Sequence, residues 1–126
     1  MSSAEITGWR DLALSRRHRL WGVKLPAVDI DLFLEYDYGS PAALIEYKSE
    51  NAEILDPNHF SYIALIELSN RGKIPFFAAR YTRDFTKWVV TPLNKIAINI
   101  INVCSTFDEQ GFVRLLYKLR GLDEPF

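Results

Sequence analysis

Two β-rich runs separated by a short turn constrain this chain more than any other feature of its sequence. Residues 30–36 and residues 42–47 are rich in β-branched, aromatic and leucine side chains, and Gly39-Ser40-Pro41 stands between them. Two such runs on either side of Gly and Pro are typical of a β-hairpin. We therefore expect an antiparallel strand pair within DIDLFLEYDYGSPAALIEYKSE.

Helical patterns and a second hairpin surround this pair. Apolar spacing predicts helices over residues 7–20, 58–70 and 108–119, with Thr7 and Asp56 as caps of the first two. Residues 75–81 and 86–92 predict two further strands, while residues 95–103 fit either a strand or a helix. The order α-β-β-α-β-β-(β)-α predicts an α/β fold, with a mixed central β-sheet flanked by helices.

The size and composition of the chain exclude several classes of protein. Its 126 residues, 48% of them hydrophobic, predict one globular domain over residues 1–126. A formal net charge of −1 argues against a protein that merely coats DNA. Cys104 is the only cysteine, which excludes an intrachain disulfide and a zinc site built on several thiolates. With no signal-peptide pattern at the N-terminus, we expect a cytoplasmic protein.

Three charged residues of the hairpin can meet on one face of the sheet. Alternate residues of a strand face the same side. If Gly39-Ser40 forms a two-residue turn, paired positions add up to 79, so that Asp31 lies opposite Lys48 and Phe33 opposite Glu46. Asp31, Glu46 and Lys48 then converge, and a register change of one residue would separate them.

This combination of two carboxylates and an ammonium group suits phosphodiester hydrolysis. Asp31 and Glu46 can hold a hard cation such as Mg²⁺, which prefers oxygen ligands and keeps several waters. The ion lowers the pKa of a bound water and stabilises charge on the phosphoryl oxygens. Lys48 can orient the attacking water or neutralise the transition state, and we expect these three residues to be catalytic.

The run PAVDID, followed by an apolar strand, a turn and IEYKSE, resembles the PD-(D/E)XK nuclease superfamily, which includes Holliday-junction resolvases and many restriction endonucleases. The resemblance covers about residues 5–92. It implies that Asp31 and Glu46 bind the metal and that Lys48 is the catalytic lysine. It also implies a mixed sheet with helices on both sides, dependence on Mg²⁺ or Mn²⁺, and frequent homodimerisation.

The sequence departs from the pattern of the superfamily near its first acid. There the aspartate usually follows proline directly, whereas Pro26 lies three residues before Asp29 and five before Asp31. Asp31 is preferred because the apolar strand begins immediately after it, and Asp29 is the substitute or a second metal ligand on the same face. An acid from the first helix could join them, with Glu5 and Asp11 both open.

Basic residues suggest where DNA would contact the chain. The first helix carries Arg16, Arg17, His18 and Arg19, and Arg80 and Lys87 flank the second hairpin. Such local patches govern phosphate contact even when the net charge is near zero. The small chain leaves no room for a separate sequence-reading domain, so we expect structure-selective cutting of branched or junction DNA.

Other interpretations of the same residues stay open. The fold could be a catalytically silent nuclease-like module that binds nucleic acid or a protein partner. It could also be a small structural protein of a phage or mobile element, with the charged hairpin facing solvent. We further expect Cys104 to be a small buried hydrophobe, Asn94 to be a turn residue, and Trp9, Trp21 and Trp88 to be core or interface aromatics.

Overall fold

The structure, a computed structural model, describes residues 12–24, 26, 32–52, 56 and 58–123. The chain divides into two compact units, residues 1–31 and residues 32–126. In the first unit, helix α1 spans Leu12–Arg19, inside the helix expected over residues 7–20. Over the described residues, no helix is both long and apolar enough to cross a lipid bilayer.

The second unit is built on a five-stranded sheet whose strands lie side by side in sequence order. The strands are β1 (Phe33–Asp37), β2 (Ser40–Ser49), β3 (Phe76–Tyr81), β4 (Trp88–Pro92) and β5 (Ser105–Phe107). β2 and β3 run parallel, and every other neighbouring pair runs antiparallel. The sheet is therefore mixed, as expected.

Three helices accompany this sheet: α2 (Phe60–Arg71), α3 (Lys95–Ile100) and α4 (Glu109–Leu119). α2 forms the crossover that two parallel neighbours require. Its N-cap is His59, whose Nδ1 accepts a hydrogen bond from the Ser61 N–H, so the expected cap at Asp56 is wrong. Asp56 instead accepts a hydrogen bond from the N–H of Asn58, just before the helix.

Side-chain alternation along β2 divides the core into two layers. Ala43 and Ile45 point to one side, where α4 contributes Phe112 and Leu115. Leu44 points to the other side, where it packs with Phe76 of β3 and Leu65 of α2. Helices thus cover both faces, which confirms the expected α/β fold, and β2 is buried on both sides through its middle.

The turn between β1 and β2 is Tyr38-Gly39 rather than Gly39-Ser40. Asp37 pairs with Ser40, which leaves two residues in the turn, with φ of 50° at Tyr38 and 80° at Gly39. Positive φ at both central residues is the pattern of a type I′ turn, whose twist matches that of the flanking strands.

A β-bulge then displaces the register along the hairpin. The shift occurs between Glu35 and Tyr36, and beyond it Phe33 pairs with Ile45. The expected register, with Phe33 opposite Glu46, is therefore wrong by one residue. Because side chains alternate between faces, this difference decides which residues of β1 share a face with Glu46.

The segment after β4 resolves the ambiguity of residues 95–103 in favour of a helix. α3 begins at Lys95 and ends at Ile100. The fifth strand is a later segment of only three residues, Ser105–Phe107. The optional strand placed at residues 95–103 is therefore wrong. A strand of three residues carries too little alternation to be recognised in a sequence.

Asn94 is the buried polar residue that joins β3, α2 and α3. It is 3% exposed. Its Oδ1 accepts from the N–H groups of Phe76 (3.1 Å) and Ala97 (2.9 Å), and its Nδ2 donates to Ser69 Oγ (3.0 Å) and the Ile74 carbonyl (2.9 Å). It thus caps α3 and holds the start of β3 at once, instead of being the simple turn residue expected.

Of the remaining expectations about single residues, that for Cys104 is wrong and that for Trp88 is confirmed, while an interface role for Trp21 stays a prediction. Cys104 is exposed, with Thr91 Oγ1 donating to its Sγ at 3.4 Å. Trp21 is more than half exposed, whereas Trp88 lies in the core. Trp9 lies outside the described residues.

We predict that Asn94→Ala lowers the free energy of unfolding by roughly 2–4 kcal/mol, because it leaves buried backbone groups of Phe76 and Ile74 without partners and removes a helix cap. Urea denaturation measures the change. Asn70→Ala is the control, since Asn70 is exposed on α2 and should shift stability by no more than about 0.5 kcal/mol. Equal stability of the two variants would contradict this role for Asn94.

Candidate active site

Glu46 and Lys48 form an ion pair on the buried strand β2. Glu46 is 7% exposed, and its Oε1 lies 3.1 Å from the Nζ of Lys48. The two residues are separated by one position, so they point to the same face of the sheet. That face is the one covered by α2, and the Lys48 side chain reaches from it toward solvent, with 41% of its surface exposed.

Tyr62 of α2 completes this cluster. Its hydroxyl donates a hydrogen bond of 2.6 Å to the same oxygen, Glu46 Oε1. Burial raises the pKa of the Tyr62 phenol well above its ordinary value, and the hydrogen bond to Glu46 and the charge of that carboxylate raise it further. The phenol therefore stays protonated at neutral pH and remains a donor to the carboxylate.

The sequence does not single out Tyr62, although a weak signal for it exists. It lies on the helix that directly follows the Glu-x-Lys strand, beside residues of the buried stripe such as Leu65 and Ile66. A tyrosine on the inner stripe of a helix needs a hydrogen-bond partner for its hydroxyl, and Glu46 is the buried acid among the described residues.

The two oxygens of the Glu46 carboxylate differ in their contacts. Both Tyr62 and Lys48 contact Oε1, so Oε2 has no hydrogen-bond partner among the described residues. Carboxylate oxygens are the ligands that Mg²⁺ prefers, and Mg²⁺ commonly binds through one or two of them together with waters and substrate phosphates. Glu46 fits such a role through Oε2.

A complete metal site cannot be assembled from the described residues alone. Within the described ranges, no three His, Cys, Asp or Glu side chains come together in a way that could hold a metal ion. Asp29 and Asp31, the two acids expected to join Glu46, lie outside those ranges, as do Glu5 and Asp11. Glu46 is thus the one expected metal ligand whose position is described.

The hairpin register removes the reason first given for bringing Asp31 to Lys48. The pairing of Phe33 with Ile45 aligns Leu32, not Phe33, with Glu46. Leu32 packs against the apolar cluster of Leu44 on the α2 side of the sheet. Any approach of Asp31 to Glu46 therefore depends on the path of the chain before β1, rather than on continuation of the ladder.

Arg80 lies beside Lys48 on the neighbouring strand. The two residues are partners in the parallel β2–β3 pairing, so they share a face. Arg80 Nη1 donates to the carbonyls of Glu50 (3.3 Å) and Ala52 (3.1 Å), which ties the segment after β2 to the sheet. Lys87, the other expected DNA contact of this hairpin, is exposed at the end of the β3–β4 turn.

The expected DNA-binding residues of the first helix lie at its C-terminal end. Arg16, Arg17 and Arg19 are exposed, and His18 is half-buried with its ring 5.1 Å from that of Trp21. Basic residues in the last turn of a helix are favoured by its dipole, which is a sufficient structural reason for their presence. They belong to the first unit, and Glu46 belongs to the second.

A second ion pair, Glu35–Arg120, contrasts with Glu46–Lys48. Arg120 Nη2 lies 2.6 Å from Glu35 Oε1, while its other nitrogens donate to the carbonyls of Tyr36 and Leu116. With three acceptors, this guanidinium joins the end of α4 to β1. Burial, followed by the charge of Glu35, raises the pKa of the nearby Tyr47. We assign this pair a structural role.

A surface cavity of about 520 Å³ lies away from Glu46, between α3, β5 and α4. Its lining is largely apolar, with Ile101, Phe107 and Leu115, and carries Arg114 and Lys118 of α4. Because α4 packs on the face opposite to α2, this cavity is not part of the Glu46 cluster.

The Glu46 cluster cannot be interpreted through known relatives. Comparisons of the chain with protein-family models, with curated proteins and with solved structures find no match. The resemblance to PD-(D/E)XK nucleases is therefore argued from the sequence of this chain alone. A function has to be argued from the geometry of the Glu46 cluster.

We predict that Tyr62→Phe lowers the free energy of unfolding at pH 7 by about 1–2 kcal/mol, because it removes a hydrogen bond to a charged acceptor. The effect should also depend on pH. The pKa of Tyr62 is raised in the folded state, so its contribution is full below about pH 10 and declines as the pH rises further.

Denaturation curves of the wild type and Tyr62→Phe between pH 7 and pH 11 measure both effects. Above pH 10 the wild type should lose stability more steeply than Tyr62→Phe. The control is Tyr36→Phe, since Tyr36 is mostly exposed and should behave as the wild type. Parallel pH profiles for all three proteins would show that Tyr62 does not hold Glu46.

Proposed function

We propose that this chain is a metal-dependent endonuclease that hydrolyses phosphodiester bonds in DNA and is similar to the PD-(D/E)XK superfamily. The observation that carries the proposal is the Glu46–Lys48 pair, in which a carboxylate almost fully buried in β2 lies 3.1 Å from an ammonium group. Stability alone is a weak reason for such a pair, because desolvation of the charges offsets their attraction.

The roles of the residues follow from their contacts. A bound Mg²⁺ or Mn²⁺ would supply a water of lowered pKa and a charge that stabilises the phosphoryl oxygens. Glu46 would hold the ion through Oε2, since Tyr62 and Lys48 occupy Oε1. Tyr62 orients the carboxylate, and Lys48, which reaches solvent, offers its charge to the phosphate that is cut.

A second acid would complete the metal site. Asp31 is the proposed ligand and Asp29 its substitute or companion, since both lie just before β1, the strand next to Glu46. A further acid could come from Glu5 or Asp11. Two carboxylates and the oxygens of the substrate would meet the preference of Mg²⁺ for hard oxygen ligands.

The proposed substrate is branched or junction DNA. Lys48, Arg80 and Lys87 lie on β2, on β3 and at the β3–β4 turn, and the exposed Arg16, Arg17 and Arg19 add positive charge in the first unit. Local clusters of this kind supply phosphate contacts. A homodimer would provide two sites for cuts on paired strands, and the proposed location is the cytoplasm.

One observation favours a catalytically silent module as the second candidate. Oε1 of Glu46 already accepts a hydrogen bond from Tyr62 and pairs with the ammonium group of Lys48. Part of the carboxylate charge is therefore balanced without any metal ion. A protein of this kind would bind nucleic acid or a protein partner through the same basic residues and would not cleave DNA.

We predict that the protein nicks supercoiled plasmid and cuts a four-way junction with Mg²⁺ or Mn²⁺, and does neither in EDTA. Lys48→Ala and Glu46→Gln should each slow cleavage by at least about 100-fold, because each removes charge stabilisation or metal binding at the reacting phosphate. Gel electrophoresis of time courses measures these rates. Asp31→Asn and Asp29→Asn, assayed in the same way, identify the second acid by the larger loss.

Lys95→Ala is the matched control for Lys48→Ala, since Lys95 is exposed at the start of α3 and should be dispensable. Undiminished cleavage by Lys48→Ala would contradict the proposed mechanism. Wild-type protein that binds the junction but never cleaves it with either metal would support the silent module instead.

A further inference from the structure

The β3–β4 turn holds an aromatic ring in an unusual backbone conformation. Phe85 has a φ of 61°, in the left-handed region that a bulky residue rarely adopts. Its side chain nevertheless remains 48% exposed. Such strain persists only where the surroundings enforce it, and it is concentrated at functional sites.

Hydrogen bonds within the turn enforce this conformation. Asp84 Oδ1 accepts from Thr82 Oγ1 (2.8 Å), from the Thr86 N–H (3.1 Å) and from Thr86 Oγ1 (2.7 Å). These bonds lower the pKa of the Asp84 carboxyl, so it stays ionised and keeps accepting them at neutral pH. Trp88 Nε1 also donates to the Phe85 carbonyl at 2.9 Å, which fixes the turn to the sheet.

The ring of Phe85 is stacked on the aromatic cluster at this end of the sheet. Its centroid lies 5.6 Å from that of Tyr81 and 6.1 Å from that of Trp88, with 24° between the planes in both cases. Trp88 in turn stacks on Phe112 at 4.6 Å. The Phe85 ring thus belongs to this stack, while about half of the residue stays exposed.

Two exposed cations flank Phe85 along the chain, each two residues away. Arg83 and Lys87 are exposed within the same turn, against Asp84 as its one acid, whose carboxylate is engaged by the threonines. Tyr81, on which the ring stacks, faces the α4 side of the sheet, and the preceding residue Arg80 faces the α2 side beside Lys48. An exposed aromatic ring in a turn that also carries two cations offers a stacking surface for a base and charges for the neighbouring phosphates.

We propose that Phe85 is a stacking platform for an unpaired base of DNA, with Arg83 and Lys87 contacting the adjacent phosphates. The choice of DNA as partner rests on the proposed nuclease function. The platform lies at the end of the sheet that also carries Lys48, on the α4 face rather than the α2 face. It deepens the proposed function by giving the chain a preference for substrates with single-stranded nucleotides, such as branch points and ends.

Binding of labelled oligonucleotides in EDTA tests this platform without any cleavage. The probes are oligothymidylate of roughly 12 nucleotides and an abasic chain of the same length, which keeps the phosphates but lacks the bases. The wild type should bind oligothymidylate more tightly. Phe85→Leu should lose roughly 5- to 150-fold in affinity for oligothymidylate, the value of one stacked base, with little change on the abasic chain.

Phe60→Leu is the matched control, because Phe60 is an exposed phenylalanine at the start of α2 and this variant should bind as the wild type. A variant with both Arg83→Ala and Lys87→Ala should weaken binding of both probes equally and reduce the salt dependence by about 1.4 in log–log slope. A thermal melt of Phe85→Leu within a few degrees of the wild type confirms that the variant is folded.

Equal affinity of Phe85→Leu and the wild type for oligothymidylate would overturn the platform, as would equal losses on the two probes. Phe85 would then have only a structural role, packing against Tyr81 and Trp88. Its failure is separable from that of the nuclease, because the platform is measured in EDTA and cleavage needs the metal. A protein that cleaves through Lys48 but binds oligothymidylate without Phe85 would refute the platform alone.

Discussion

The parallel pairing of β2 with β3 determines where every described residue of the site lies. Two parallel neighbours need a crossover, and α2 provides it on the face that carries Leu44, Glu46 and Lys48. Helix α2 therefore places Tyr62 within hydrogen-bond distance of Glu46, and the β2–β3 pairing places Arg80 beside Lys48. Asn94 secures the same unit by bonding to the first residue of β3 and to the end of α2.

Two ion pairs of this unit have carboxylates with little exposure, and they differ in what else their charges contact. Arg120 forms an ion pair with Glu35 and donates to two carbonyls, so its guanidinium serves to join the end of α4 to β1. Glu46 instead keeps Oε2 open among the described residues, and Lys48 extends to solvent. Desolvation of the buried Glu46 carboxylate offsets its attraction to Lys48, which is why the proposed function begins at Glu46.

Sequence patterns predicted the hairpins, the mixed sheet and the Glu-x-Lys strand, because alternation and turn residues are local signals. They failed where one residue decides the outcome. The register depended on a bulge beside Glu35 and on a turn that begins at Tyr38, and neither leaves a mark in the pattern. α3 depended on the buried cap Asn94, and the role of Tyr62 on a contact 16 residues away in the chain.

The central claim is that Glu46 binds a divalent cation, and paramagnetic broadening of NMR signals by Mn²⁺ tests it most directly. Substoichiometric Mn²⁺ should broaden the amide resonances of Glu46, Tyr47 and Lys48 and of the acids just before β1, and excess Mg²⁺ should reverse the effect. In Glu46→Gln this broadening should be lost. Mn²⁺ that leaves β2 sharp in the wild type, or broadens it equally in Glu46→Gln, would contradict the account.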